Sequence, residues 1–249
     1  MNPIPSSFDA SGAFETCRVR KGRPLQLEEH LRRLGASLKT AGIFSWDARE
    51  VRTRIRAAAR GMKEGYVRVA VRRYGTPRIL VHSQPALPYD RRLYSQGVSI
   101  RTAPGFGVGG DPSWGRIKAS ERLSSVLARA ECSDAFELLR TGRDGTLTEG
   151  TISNLFIVSD GQLMTTPGWV GVLHGVTQDR ILRSARRLKI PVRTVPLTRH
   201  ELFNAEEAFL TNVLMGILPV READGRRIGS NVPGPVTRRL MRSLTEGVG

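Results

Sequence analysis

Apolar residues recur at helical spacing in two stretches near the start of the chain. Leu27, Leu31, Leu34 and Leu38 fall three or four apart within residues 26–42, and Gly42 is placed to end that helix. Val51, Ile55 and Ala58 repeat the pattern within residues 47–61, where Asp47 stands at an N-cap position. The period then drops to two. Val67, Val69 and Val71 alternate with polar residues, Gly75-Thr76-Pro77 makes a turn, and Ile79 and Val81 resume the alternation, which predicts a β-hairpin. "GVSIRTA" predicts one more strand. Glycine and proline then crowd "PGFGVGGDPSWG", residues 104–115, and predict a linker. Beyond it, "SERLSSVLARAEC" reads as a helix, and "AFELLR", "SNLFIVSDGQLMTT" and "EEAFLTN" read as strands. The helix "TQDRILRSARRL" interrupts them. The order of elements predicts an α+β protein. Its expected division is an N-terminal domain over 1–106, an interdomain linker over 107–115 and a strand-rich C-terminal domain over 116–249. A cleft between the halves is the default site.

Composition narrows the reading. At 249 residues and 39% hydrophobic, the chain can bury a core and is not expected to be disordered. No apolar run reaches the ~20 residues of a membrane span. The opening "MNPIPSSFDASGAFET" has neither a basic start nor an apolar core, so no signal peptide is expected. Cys17 and Cys132 are too few for a disulfide scaffold and too far apart for a metal clip, and a reducing cytoplasm fits best. A formal charge of +16 raises the question of nucleic acid. The arginines are spread over the whole chain among acidic neighbours, as in "EEHLRRL", with no basic tail and no zinc-finger or RNA-recognition signature. A solvated basic surface that favours anionic substrates is the expectation, and a nucleic-acid-binding module is the distant alternative.

Five of the 39 basic residues are lysines. A lysine amine can condense with an aldehyde, which a delocalised guanidinium cannot. Lys118 follows the linker between Ile117 and Ala119, where partial burial would ease loss of its proton; a surface lysine at a helix start is the plainer reading. In "LTEGTISNLFIV", Glu149 is a carboxylate at the end of a short strand, or only a turn residue. In "GVLHGVTQDRIL", Val176 and Thr177 lie where a helix start offers N–H groups to an anion, or where Thr177 is an ordinary N-cap. In "AEEAFLTNVLMGILPV", Thr211 and Asn212 end a strand and either face a cleft or close their own turn. Arg33 suits a bidentate phosphate contact, or is solvated. His30 is expected to pack beside Arg33 on the helix face. His174 either lines the cleft or has no role. Arg68 and Arg72 share one strand face that could guide a carboxylate, although solvated arginines are the plainer outcome. Trp114 and Trp169 lie in loops.

The order of these fragments says more than any one of them. An arginine on an early helix is followed by a lysine after a linker, then E-G-x-x-x-N-L-F, then G-V-T, then F-L-T-N-x-L-M-G-x-x-P-V. Together with "GAFETCRVRKGRPLQLEEHLRRL", this resembles the class IV aminotransferases, the fold-type IV enzymes that use pyridoxal 5'-phosphate, over about Gly12 to Val220. The resemblance implies the two-domain fold of that family, with the cofactor in the cleft. It implies that Lys118 is the Schiff-base lysine and proton shuttle, that Glu149 pairs with the pyridine nitrogen, and that Ser153 and Asn154 of the following turn belong to the cofactor site. It assigns Arg33, Val176, Thr177 and the loop Thr211-Asn212-Val213 to the phosphate. Many transaminases read Ser-Gly-Thr in that loop; here Asn212 and Val213 replace the glycine and the last hydroxyl, which leaves one contact to the backbone. A small-molecule amino or oxo acid substrate and a homodimer are also implied.

The resemblance separates two activities. Branched-chain transaminases tend to have a tyrosine five residues after the lysine, where this chain has Leu123. The Arg-x-His pair of D-amino acid transaminases is absent after the hairpin. "KASERLSSVLARAE" and "TNVLMGILPV" look more like 4-amino-4-deoxychorismate lyases, enzymes of folate biosynthesis, although Glu121 stands where many of them have asparagine. The expectation is such a lyase, with an amino acid transaminase of the branched-chain or D-amino acid type as the alternative.

Overall fold

A computed structural model describes residues 12–74, 76–87, 89–103, 117–118, 134–142 and 144–246. The chain divides into two compact units. The first holds the described residues up to 87 together with Ile117 and Lys118; the second holds those from Tyr89 to Ala103 and from 134 onward. The expected linker over 104–115, the helix expected over 120–132, and Glu121 and Leu123 lie outside the described residues.

The first unit is one antiparallel sheet covered on one face by two helices. β1 (Gly12–Arg20) turns at Lys21 and Gly22, both with positive φ (50° and 74°), into the short β2 (Arg23–Pro24). α1 (Leu27–Thr40) and α2 (Ala48–Ala59) follow, and then the hairpin of β3 (Glu64–Tyr74) and β4 (Thr76–Gln84). The sheet order is β2-β1-β3-β4. Asp47 caps α2 as expected, accepting from the Arg49 N–H at 2.7 Å. Strand alternation sends Ala13, Cys17, Val19, Val67, Val69 and Val71 to the inner face. There they are buried with Leu31, Leu34 and Leu38 of α1 and Val51, Ile55 and Ala59 of α2. One inward position of β1 breaks the apolar series: Glu15, 1% exposed.

The second unit is built on a mixed sheet. After α3 (Arg92–Gln96) come β5 (Val98–Ala103), β6 (Glu137–Thr141), β7 (Leu147–Gly150), β8 (Asn154–Ser159) and β9 (Gln162–Thr165). α4 (Val176–Arg187), β10 (Val192–Thr194), α5 (Arg199–Phe203), β11 (Glu207–Asn212), β12 (Gly216–Ala223), β13 (Arg226–Arg227) and α6 (Pro235–Glu246) complete it. The order is β10-β9-β8-β11-β12-β5-β6-β7, with β13 beside β12. β5 lies parallel between β12 and β6. The strand that falls inside the expected stretch 1–106 is thus hydrogen-bonded into the second sheet, because its partners come from much later in the chain. Two apolar clusters hold the unit together. One contains Ile100, Leu139, Leu147, Leu155, Leu210 and Leu218; the other contains Phe156, Phe209, Ile181 and Leu240, with the two phenylalanine rings stacked at 5.1 Å. No described helix is long and apolar enough to cross a membrane.

Candidate active site

The residues singled out above fall into two sets, one in each unit. In the first unit, Lys118 is partly buried and pinned by its backbone. Its carbonyl accepts from the Phe14 N–H of β1 at 3.0 Å, and its own N–H donates to the Ser37 hydroxyl of α1 at 3.3 Å. Its side-chain ammonium lies 5.1 Å from the centre of the Phe14 ring, within range of a cation–π contact. The Arg68 guanidinium lies 5.5 Å from the same ring, and Arg68 Nε donates to the Thr16 hydroxyl at 3.3 Å. Register explains this grouping. Phe14 and Thr16 face outward on β1, and Thr16 pairs with Arg68 across the strands.

Arg33 lies on α1 and is held by Glu15. Nε and Nη2 donate to the two carboxylate oxygens at 2.6 and 2.8 Å, a bidentate pair. His30 Nδ1 meets the second of those oxygens at 2.7 Å. Burial alone would raise the Glu15 pKa. The Arg33 charge and hydrogen bond and the His30 hydrogen bond outweigh burial and hold the carboxyl well below its usual range. An ionised carboxylate only accepts, so His30 carries its proton on Nδ1. Burial pushes the His30 pKa down further than Glu15 pulls it up, so the imidazole is neutral at neutral pH. Burial also pushes the neighbouring Cys17 thiol up, and it stays protonated. Arg33 is therefore a member of a buried network and not a solvated arginine.

In the second unit, Glu149 ends β7 with its side chain buried, and Oε2 accepts from the Leu173 N–H at 2.9 Å. Asn154 Nδ2 donates to the Leu173 carbonyl at 2.9 Å, so the two side chains grip one peptide segment just ahead of α4. Between them runs the turn 150–153. Glu137 of β6 organises it by accepting from the Thr151 N–H (2.9 Å), the Thr151 hydroxyl, the Ile152 N–H (3.3 Å) and the Ser153 hydroxyl (2.9 Å). Ser153 thus spends its hydroxyl on Glu137. A Cβ on Gly150 would stand 2.4 Å from that hydroxyl oxygen, so the turn closes only on glycine.

α4 starts at Val176 with Gly175, not Thr177, at the N-cap, and no side chain caps it. A Cβ at 175 would come within 2.2 Å of Asn154 Oδ1, which explains why the cap lacks a side chain. The Gly175 N–H itself is satisfied by Gln178 Oε1 at 3.2 Å. Val176 and Thr177 begin the helix, where N–H groups and helix dipole favour an anion. The loop after β11 is otherwise arranged. Thr211 donates its hydroxyl to the Gly216 carbonyl at 2.6 Å. Asn212 Oδ1 accepts from the Leu214 and Met215 N–H groups, both at 2.9 Å, and its Nδ2 donates to the Ile152 carbonyl at 3.2 Å. Both side chains are engaged within the protein, and Val213 has no polar side chain.

His174 is exposed and lies 3.4 Å from Asp179. Trp169 is exposed, and Trp114 lies outside the described residues. Glu15 and Glu137 were not singled out by motif. The signal available was a carboxylate at an inward position of an otherwise apolar strand.

The model of the family "Amino-transferase class IV" matches residues 12–223. A D-alanine aminotransferase of Bacillus licheniformis is 29% identical over 255 residues, covering 95% of this chain and 87% of that protein. A putative branched-chain-amino-acid aminotransferase of Methanocaldococcus jannaschii is 30% identical over 253 residues, covering 94% and 86%. The crystal structure of 4-amino-4-deoxychorismate lyase from Pseudomonas aeruginosa superimposes with a TM-score of 0.83 at 30% identity, covering 96% of this chain and 91% of that one. The α+β, fold-type IV architecture expected from the motifs is the one found, and the chain belongs to the class IV aminotransferases, a family of pyridoxal-phosphate-dependent enzymes.

Proposed function

We propose that the chain uses pyridoxal 5'-phosphate with Lys118 as its Schiff-base lysine and Glu149 as the carboxylate for the pyridine nitrogen, and that it acts on an amino-bearing carboxylate substrate, as a 4-amino-4-deoxychorismate lyase releasing pyruvate and 4-aminobenzoate. The donor set suits the cofactor. A twelve-residue helix opens without a side-chain cap at Val176 and Thr177, which suits a phosphate. A buried carboxylate with one oxygen already oriented, Glu149, suits a protonated ring nitrogen. When bound, the cofactor supplies an aldehyde that condenses with amines and a ring that takes up an electron pair.

The remaining work belongs to the chain. Lys118 is fixed by backbone bonds to β1 and α1, so only its side chain moves between holding the cofactor and moving a proton at the substrate's amino-bearing carbon. Glu149 keeps the ring nitrogen protonated. Val176 and Thr177 hold the phosphate through backbone N–H groups, and Ser153 and Asn154 act by shaping the walls. Thr211, Asn212 and Val213 contribute backbone to the phosphate, because the two polar side chains are bonded elsewhere. Arg68, which has no acidic partner among the described residues, receives the substrate carboxylate beside Lys118.

The observation that carries the lyase reading is Asn212. Its side chain shapes the 212–215 turn, in the Asn-x-Leu-Met pattern of the lyases, where a transaminase-like loop would present hydroxyls. The transaminase alternative draws support from the D-alanine and branched-chain relatives. Incubating the holoenzyme with aminodeoxychorismate decides between them. Formation of 4-aminobenzoate and pyruvate is the expected result; amino transfer from alanine or glutamate to an oxo acid, with no 4-aminobenzoate, overturns it. A homodimer in the cytoplasm, working in folate biosynthesis, completes the proposal, and light scattering tests its dimeric part.

A further inference from the structure

We infer that Gln178, braced by Thr165, is a positioning residue that fixes the first turn of α4 while leaving its N–H groups open to the cofactor phosphate. The inference rests on the reading of Val176 and Thr177 as the phosphate seat and deepens it. An ordinary N-cap residue fixes a helix start with a side-chain oxygen, which accepts from the N–H two or three residues on. In α4 those would be the N–H groups of Thr177 and Gln178, the donors that a bound anion needs. α5 shows the complete arrangement. The Thr198 hydroxyl accepts from the His200 N–H at 3.1 Å, and Glu201 accepts from the Thr198 N–H at 2.7 Å. α4 keeps only the second half. Gln178 Oε1 accepts from the Gly175 N–H at 3.2 Å, and Gly175 has no side chain to cover the donors of the first turn.

Glycine is required at 175 because a Cβ there would stand 2.2 Å from Asn154 Oδ1. A glycine backbone is also the freest to move, so its place has to be fixed from outside. Gln178 does this with both ends of a buried amide. Its Nε2 donates to the Thr165 hydroxyl at 3.3 Å, and that hydroxyl donates to the Leu155 carbonyl at 2.8 Å. The chain of bonds runs from the helix cap through β9 to β8 and ties the cap to the sheet. Packing alone would be served by an apolar side chain, because a buried amide is costly unless both its ends find partners. Methionine or leucine there could not hold the Gly175 N–H. Glutamate could, but it would lose the donor to Thr165 and set a negative charge beside the phosphate.

The test compares binding of pyridoxal 5'-phosphate with binding of pyridoxal, which lacks the phosphate, by the full-length chain. Gln178→Met, of similar length but without the amide, is expected to cut the preference for the phosphorylated form about tenfold, with pyridoxal binding unchanged. Thr165→Val is expected to act in the same direction, and Thr165→Ser, which keeps the hydroxyl, to stay near the parent. Combining Gln178→Met with Thr165→Val should be no worse than Gln178→Met alone, because both break one chain of bonds. Parental preference in Gln178→Met overturns the inference. Equal weakening of both ligands also overturns it, because that is a packing effect, and so do fully additive losses in the double variant. If Gln178→Met fails to fold, the two Thr165 variants carry the test, and equal preference in both overturns the inference. Amide exchange in the parent separates the underlying reading. The Val176 and Thr177 N–H groups should exchange more slowly with pyridoxal 5'-phosphate bound than with pyridoxal bound. If they do, and Gln178→Met keeps the parental preference, the phosphate sits at the helix start and Gln178 does not position it. If they do not, the reading of the seat falls, and the inference with it.

Discussion

Glu149 and Lys118 are the residues whose charge the proposed chemistry needs most. Replacing Glu149 by Gln keeps an acceptor for the Leu173 N–H but removes the negative charge. We expect turnover to fall by about two orders of magnitude, with thermal stability nearly unchanged; parental turnover in the variant would remove Glu149 from the chemistry. His30 allows a pH prediction. Its folded pKa lies below the ordinary 6.5, so in the window beneath that value the unfolded chain binds a proton that the folded chain does not. The stability it contributes above 6.5 is therefore lost as pH falls. Glu15 has the same sign lower down: its contribution is present above 4.5 and is lost toward its depressed folded pKa. Denaturant titrations between pH 7 and about 5 should give a shallower pH slope for His30→Gln than for the parent. Identical slopes would contradict the neutral, buried imidazole.

At the scale of elements, the start of α4 is the most constrained point. Gly175→Ala would drive a methyl group into Asn154 Oδ1, and Asn154 would have to give up its bond to the Leu173 carbonyl. The expected cost is about 1–3 kcal/mol in thermal unfolding, with weaker pyridoxal 5'-phosphate binding because the helix start moves. A variant with parental stability and affinity would show that the close approach is not maintained. Asp47→Ala, a simple cap, should cost about 1 kcal/mol and leave cofactor binding alone. Most elements were legible in the sequence because their signal is local. Leucine spacing predicted 26–42 and the helix is Leu27–Thr40; valine alternation predicted the hairpin of β3 and β4. The cap of α4 was not legible. Thr177 has the right chemistry for an N-cap, and only the approach of Asn154 from another strand explains Gly175 in that role.

For the whole molecule, the +16 charge concerns association more than folding. Many of its cations are exposed, and some pair with exposed acids, as Arg52 does with Glu28 and Arg54 with Glu50. Such pairs contribute little to stability, while the summed field is expected to draw in the anionic substrate proposed above. Raising salt should therefore lower kcat/KM for the carboxylate substrate and spare kcat; a salt-independent kcat/KM would refute the steering.

The amino-acid sequence by itself determined most of the elements, the family, and the residue types proposed to carry the chemistry, because periodicity, capping and motif order act over short spans of chain. Tertiary structure decided how those residues are held. Glu15 meets Arg33, and Glu137 closes the 150–153 turn, through strand register and helix packing that bring together segments distant in the chain. Thr211 and Asn212 turn into their own loop and its neighbour, because buried polar groups take the nearest partners that the folded backbone supplies.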